Sequence, residues 1–268
     1  MTESSHDHRP LHRLPWLGER DWLRRRRGTV RRMAVVGQAA VTERMRRVSL
    51  VADDMEDFSW TPGQDMVLEL PLPGGEIARR HYTIRHYDAA EQRIDIDFAL
   101  HGAGASARWL KDVKIGGRLI ATGPRGHVTL HQGLGAHGAT GVGTHLFLGD
   151  ETCIPAIAAM TAHLKPLAIA MALIEVRDEA DVQPIESDAD LTLGWLYRRN
   201  APAGSVQMLL GAVAGVAFDP SDTHAYVIGE TGQVRALRHH LLERGLPKAR
   251  ISAEGYWRPG RVGGHDHV

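Results

Sequence analysis

Six consecutive residues, Arg80-His81-Tyr82-Thr83-Ile84-Arg85, bring together an aromatic ring, a hydroxyl and two guanidiniums. Their branched and aromatic content predicts a strand. Alternate side chains of a strand share a face, which puts Arg80, Tyr82 and Ile84 on one side and His81, Thr83 and Arg85 on the other. An aromatic can cover a flat ring, a hydroxyl can bond a ring heteroatom, and a guanidinium fork can take a phosphate. The stretch therefore has the equipment to hold a flat redox ring with a phosphate tail. On alternating faces Tyr82 and Thr83 cannot both lie flat on one ring surface. One is expected to cover the face while the other, or its backbone N–H, meets the edge. Without a ligand, the same six residues read as a half-exposed strand with ordinary charges.

A second stretch, 97–109, passes from a strand through His101, Gly102 and Gly104 into a helix expected over 105–111. Glycines let a ligand approach the backbone closely, and the first turn of a helix offers free N–H groups at its positive end. That is a pyrophosphate cradle; the plain alternative is a glycine turn with Ser106 as the helix cap. Thr122-Gly123-Pro124-Arg125-Gly126 reads as a tight turn with a cation at its tip. In Leu148-Gly149-Asp150-Glu151-Thr152-Cys153-Ile154-Pro155-Ala156 a strand runs into a helix that Asp150 or Thr152 can cap, with Pro155 in the first turn. No G-x-G-x-x-G follows this strand, so the standard dinucleotide fingerprint is absent.

Trp195-Leu196-Tyr197-Arg198-Arg199 ends an apolar strand, and ligands of parallel sheets sit at the carboxyl ends of strands. Two guanidiniums there suit the extra phosphate of NADPH, or are simply solvated at an exposed strand end. Ile228-Gly229-Glu230-Thr231-Gly232 is another strand-to-helix turn. Gly255-Tyr256-Trp257-Arg258-Pro259-Gly260 ends the last strand with an indole that either covers a ring or packs that strand. Cys153 reads as a small buried residue of a helix turn. Neither metal-ligand spacing, nor a Ser/His/Asp pattern, nor a P-loop is visible, which argues against hydrolysis and phosphoryl transfer.

The elements that position these residues fall into two textures. Residues 29–132 read as about seven short strands: 29–42, 44–51, 65–70, the opening motif, 93–100, 117–122 and 127–130. Close turns between them predict a small antiparallel barrel or sandwich. Residues 133–143 have a glycine-rich linker composition. Over 144–268 strands alternate with helices (strand 145–148, helix 152–164, strands 168–176 and 191–197, helix 206–213, strand 225–229, helix 233–244, strand 250–256), predicting βα units on a mostly parallel sheet. Residues 1–28 read as a tail, with Trp16 and Trp22 able to dock and a basic run over Arg24–Arg27 that reads as solvated charge at a domain edge rather than a contact for a phosphate-bearing partner. His6, His8, His265 and His267 are read as adventitious ligands at most, so no metal is expected.

Lys+Arg and Asp+Glu are both 32 in 268 residues, which gives no reason to expect nucleic acid or an anionic membrane surface. The single cysteine cannot form an internal disulfide, and residues 1–15 lack an apolar core. The apolar region 153–176 is broken by His163, Lys165 and Pro166, which suits a helix and a strand better than a membrane span. A cytoplasmic protein without membrane insertion is expected.

With these pieces in chain order, the sequence resembles the siderophore-interacting protein family, FAD-dependent ferric-siderophore reductases of the ferredoxin-reductase-like superfamily. The resemblance rests on Arg80-x-Tyr82-Thr83-x-Arg85; Phe98-x-Leu100-His101-Gly102 with Ser106 and Trp109; Gly123-Pro124-Arg125-Gly126; Gly149-Asp150-Glu151-Thr152 with Pro155-Ala156; Trp195-x-x-Arg198; and Gly255-Tyr256-Trp257-Arg258-x-Gly260. It covers about residues 30 to 262. One departure is Gly104-Ala105-Ser106, where the family has a Gly-Pro-Ala turn.

The resemblance implies a Greek-key-type FAD-binding barrel followed by an NAD(P)H-binding α/β domain. It places Arg80, Tyr82, Thr83, Ile84 and Arg85 at the flavin, with Tyr82 against the ring and Thr83 near its N5 edge. It gives His101, Gly102, Gly104, Ala105 and Ser106 to the phosphates and ribityl chain, with Thr152 beside the cofactor. Trp195, Arg198 and Arg199 would face NADPH or NADH, and Glu230 and Trp257 would lie at the flavin–nicotinamide junction. The implied reaction passes electrons from NAD(P)H through FAD to a ferric siderophore, releasing Fe(II), with no side chain needed as acid or base. Arg125 and Arg258 would steer an anionic substrate. The expected partner is that small molecule, and a monomer is expected. Two alternatives stay open: a general flavin reductase with another acceptor, and a siderophore-binding module without turnover.

Overall fold

The computed structural model describes residues 28–100, 104–131, 143–261 and 266–267. The expected tail apart from Gly28, His101, Gly102, the linker apart from Gly143, and His265 lie outside the described residues, as does the side chain of His267.

Six antiparallel strands close on themselves in the order β1-β2-β5-β4-β3-β6: β1 (Thr29–Thr42), β2 (Met45–Val51), β3 (Asp65–Pro71), β4 (Ile77–Asp88), β5 (Arg93–Ala99) and β6 (Arg118–Arg125). Closure pairs β1 with β6 and leaves no open sheet edge. The strand period of two explains β5: Ile94, Ile96 and Phe98 enter the barrel core, while Asp95 and Asp97 face the other way. Those two carboxylates are nevertheless buried, because β2 covers them. Arg47 grips Asp97 through two hydrogen bonds of 2.7 and 2.8 Å, and Ser49 donates to Asp95 at 2.6 Å. Helix α1 (Ala105–Asp112) closes the core with Trp109 and Leu110.

The second unit is a sheet in the order β12-β11-β10-β7-β8-β9, built from β7 (Thr144–Asp150), β8 (Ile169–Val176), β9 (Asp190–Tyr197), β10 (Thr223–Glu230), β11 (Ile251–Trp257) and β12 (Asp266–His267). The five strands other than β12 are mutually parallel. β10 lies in the middle and is buried at all eight positions, as a strand covered on both faces must be. Helices α3 (Val206–Ala214) and α4 (Thr231–Glu243) cover one face; α2 (Ile154–Thr161) covers the other.

Every residue of α2 is buried, which its uniformly apolar sequence requires. The helix is enclosed because the barrel lies on its other side: Met45, Val128 and Leu130 share its apolar cluster with Phe147, Ile174 and Tyr226. The two units are thus joined through a common core. Arg44, between β1 and β2, adds ion pairs to Asp178 and Asp181 after β8, the latter at 2.7 Å.

Three local expectations are corrected. Residues 127–130 are not a strand; Val128 and Leu130 dock on α2, and the Leu130 N–H donates to Pro62 at 2.9 Å. The barrel therefore has six strands. Residues 122–125 are not a turn but the end of β6, paired with β3 as far as Asp65–Arg125. The helix expected over 152–164 is a short 3-10 turn, Glu151–Cys153, followed by α2, which ends at Thr161.

Candidate functional site

A cleft of about 520 Å³ opens where the barrel meets the carboxyl ends of β7 and β11. On the barrel side it is walled by Arg80, Tyr82 and Thr83 from β4 and by Gly104, Ala105 and Ser106 at the start of α1. Arg80 donates to the carbonyl of Arg79 at 2.7 Å and makes no ion pair with a carboxylate among the described residues. The Tyr82 ring packs 4.1 Å from the Phe98 ring, and its phenol is hydrogen-bonded to the Ser106 hydroxyl. Burial pushes that phenol up to about 12, keeping it a neutral hydrogen-bonding group. Thr83 turns to the opposite side, its hydroxyl 3.3 Å from the phenol of Tyr256 on β11. Strand alternation thus gives Tyr82 to the barrel and Thr83 to the junction with the sheet.

Helix α1 starts at Gly104 with no side-chain cap. The hydroxyl of Ser106, a helix cap only in the plain alternative reading of this turn, faces Tyr82. The first-turn N–H groups have no intrahelical acceptor, and Ala105, Ser106 and Ala107 all border the cleft. An uncapped helix start next to an arginine without a carboxylate, with an aromatic ring between them, is a donor set suited to the phosphates and flat ring of FAD.

The sheet side is organised by Asp150. Its buried carboxylate accepts from the Thr152 N–H (2.8 Å) and hydroxyl (2.5 Å), the Glu230 N–H (2.9 Å) and the Trp257 indole (2.8 Å). One side chain thereby fixes the ends of β7, β10 and β11, and positions Thr152 and Trp257 on the cleft wall. Burial first, and then the neighbouring Glu151, hold the Asp150 carboxyl above its ordinary range. Gly149 allows this convergence, since a Cβ there would lie 2.1 Å from the Ile228 carbonyl oxygen.

Other expected site residues are placed elsewhere. Ile84 is fully buried in the barrel core, so its side chain does not reach the cleft. A register shift between Ile84 and His86 leaves Arg85 as an extra residue, with its guanidinium 3.9 Å from Asp97. Arg198 is committed to Glu151 through bonds of 2.5 and 2.6 Å and lines a separate cavity of about 210 Å³. Arg199 is exposed and paired with Glu179, while Trp195, on the edge strand β9, packs against the apolar cluster around α2. The Glu230 carboxylate caps α4 by accepting from the Gln233 N–H at 2.8 Å. Arg125 sits 3.9 Å from Asp65, and Arg258 is exposed beyond β11. None of these side chains forms the wall of the large cleft.

Sequence reasoning gave no site role to His81, Asp97, Glu151 and Tyr256, all of which border it. His81 was the most legible of these, since it shares the Thr83 face of β4. Asp97 and Tyr256 sit inside the motifs already singled out.

An antiparallel barrel followed by a parallel sheet with helices, with a cleft at their junction, is a ferredoxin-reductase-like architecture. Two family models match the chain: siderophore-interacting FAD-binding domain over residues 73–128 and siderophore-interacting protein over 142–260. Together they span more than half of it, and the chain belongs to the siderophore-interacting protein family. An uncharacterized protein of Mycobacterium tuberculosis is 33% identical over 197 residues, 68% of this chain and 66% of that protein, so the match spans just under two thirds of that relative. The ferric vibriobactin reductase ViuB of Vibrio cholerae is 27% identical over 242 residues, 82% of this chain and 86% of that protein. The crystal structure of a siderophore utilization protein from T. fusca superposes with a TM-score of 0.77 at 29% identity, covering 87% of this chain and 94% of that one.

Proposed function

We propose that this protein is an FAD-dependent ferric-siderophore reductase that takes electrons from NAD(P)H and releases Fe(II) in the cytoplasm. The observation that carries the reading is the barrel-side wall of the cleft: Arg80 without a carboxylate partner among the described residues, the uncapped start of α1, and the Tyr82 ring beside them. The name of the V. cholerae relative supports the iron substrate.

Bound FAD would convert the two-electron supply of a nicotinamide into the one-electron steps that Fe(III) accepts. Arg80 and the N–H groups of Ala105, Ser106 and Ala107 would hold its phosphates, and Tyr82 and Thr83 would meet the ring. Trp257, fixed by Asp150, forms the wall on the side of the 144–268 domain, from which the nicotinamide approaches. Arg199, whose pair with Glu179 lies in solvent, would provide the contact for a donor phosphate, because Arg198 is held by Glu151 in a largely buried pair. Arg125 and Arg258 draw in an anionic chelate. Hard oxygen donors hold Fe(III) far better than Fe(II), so reduction loosens the metal.

Absorbance spectroscopy tests the reading. The purified protein should show flavin bands, be bleached by NAD(P)H and regain its colour on adding a ferric chelate. Failure to bind FAD would overturn the proposal. Bleaching without iron-dependent recovery would assign a different acceptor, and FAD or chelate binding without bleaching would assign a binding module.

A further inference from the structure

We infer that His81, held by Asp65, is the proton donor to the iron-bound oxygen of the substrate. The inference rests on the ferric-siderophore reading above and adds to it an acid that reduction by itself does not supply.

Three observations carry it. His81 lies on the cleft wall between Arg80 and Tyr82, on the face of β4 that also presents Thr83. Its Nδ1 is 3.1 Å from Oδ2 of Asp65, whose side chain is only 6% exposed while that of His81 is 22% exposed. A buried carboxylate on one ring nitrogen fixes the orientation of the imidazole, so proton exchange with the cleft runs through Nε2. The dyad is also built into the barrel frame, since Asp65 pairs with Thr83 and His81 with Val67 across the β3–β4 ladder.

The charges around the dyad come from every neighbouring element. Arg125 on β6 is 3.9 Å from Asp65 Oδ1. Glu254 lies on β11, paired with His127, and Tyr256 lies on the same strand. Arg80 on β4, Asp97 on β5, Glu151 after β7 and Arg261 border the same cleft.

The chemistry needs such a donor. When the iron gains one electron from the reduced cofactor, an Fe–O bond to a hydroxamate or catecholate oxygen weakens. The released oxygen is strongly basic and rebinds iron unless it is protonated. His81 Nε2–H gives its proton to that oxygen as the Fe–O bond breaks, leaving Fe(II), a protonated ligand and a neutral imidazole. Water in the cleft then returns the proton.

The test compares the full-length, FAD-loaded protein with His81→Gln, His81→Ala and Asp65→Asn. Ferric tris(acetohydroxamate) is the substrate, and ferricyanide, which keeps its ligands on reduction, is the control. The hydroxamate rate in wild type should fall as the pH rises. In His81→Gln it should be roughly a hundredfold lower relative to ferricyanide and insensitive to pH. Imidazole in the buffer should restore His81→Ala. Redox-inert gallium tris(acetohydroxamate), followed by tryptophan fluorescence, should bind more weakly to wild type as pH rises, and without pH dependence to His81→Gln. A His81→Gln protein that keeps the wild-type hydroxamate-to-ferricyanide ratio and pH profile would overturn the inference alone. A wild type that reduces ferricyanide but not the hydroxamate would overturn the ferric-siderophore reading and this inference together. Gallium binding reports on His81 whatever the flavin does.

Discussion

The indole N–H of Trp257 donates to Oδ2 of Asp150 at 2.8 Å, joining the last residue of β11 to the last residue of β7. The same carboxylate oxygen accepts the Glu230 N–H at the end of β10. The tryptophan on the sheet-side wall is therefore held at its edge, with its orientation set by a buried acid.

Replacing Trp257 by Phe removes one donor from a buried carboxylate that retains Thr152 and Glu230. A hydrogen bond to a charged group contributes about 1.5–3 kcal/mol, and a loss of that size is expected in denaturant unfolding. Unchanged unfolding would mean that the indole does not hold the wall.

Arg80→Ala separates binding from folding. With no carboxylate partner among the described residues to strand, its removal should leave the flavin-free protein as stable as wild type. Loss of a charged phosphate contact should weaken FAD binding roughly ten- to a hundredfold, measured by flavin fluorescence titration.

The two adjacent arginines should behave oppositely. Arg198→Met leaves Glu151 and the fully buried Glu175 without their cation, and breaking such a pair costs about 3–5 kcal/mol. Arg199→Ala should not move the melting temperature, because its pair with Glu179 is solvent-exposed. It should raise KM for NADPH more than for NADH.

Stability should fall with acid. His145 and His224 are buried, and burial pushes their imidazoles down to about 4 and about 3. Below the ordinary histidine value near 6.5 the unfolded chain binds protons that the folded one does not, so each histidine costs about 1.4 kcal/mol per pH unit as the pH drops. Glu175 acts in the opposite sense. Burial raises it to about 7, so the folded state holds its proton where the unfolded state has lost it, and this offsets one histidine between roughly pH 6.5 and 4.5. Denaturant melts of Glu175→Gln over that range should therefore show a steeper acid loss than wild type. A shallower one would refute the assignment.

Gly149→Ala should be among the most damaging small substitutions. The added methyl would lie 2.1 Å from the Ile228 carbonyl oxygen and 2.4 Å from the Cys153 sulfur, forcing β7 away from β10. Overpacking of this kind costs about 1–3 kcal/mol or more, visible as a lowered unfolding midpoint.

The sequence alone was enough for the two-part architecture, because hydrophobic period is a local property: two in the barrel strands, nearer four in the helices, with glycine and proline punctuating both. It also brought out Arg80, Tyr82 and Thr83, since strand alternation is set by near neighbours; that α1 starts without a side-chain cap was not legible, because Ser106 turns to Tyr82, 24 residues away. What it did not contain was which carboxylate reaches which cation. Arg198 and Arg199 are identical side chains at adjacent positions. One is neutralised by Glu151, 47 residues away in sequence, and the other lies in solvent with Glu179. The same limit hid the Asp150 hub, which gathers the ends of three strands. It also misplaced the 127–130 segment, whose valine and leucine serve α2 rather than the barrel. Only the packing of the barrel against the sheet decided these points, because burial sets the cost of leaving a charge or an apolar side chain without a partner, and burial belongs to the assembled fold.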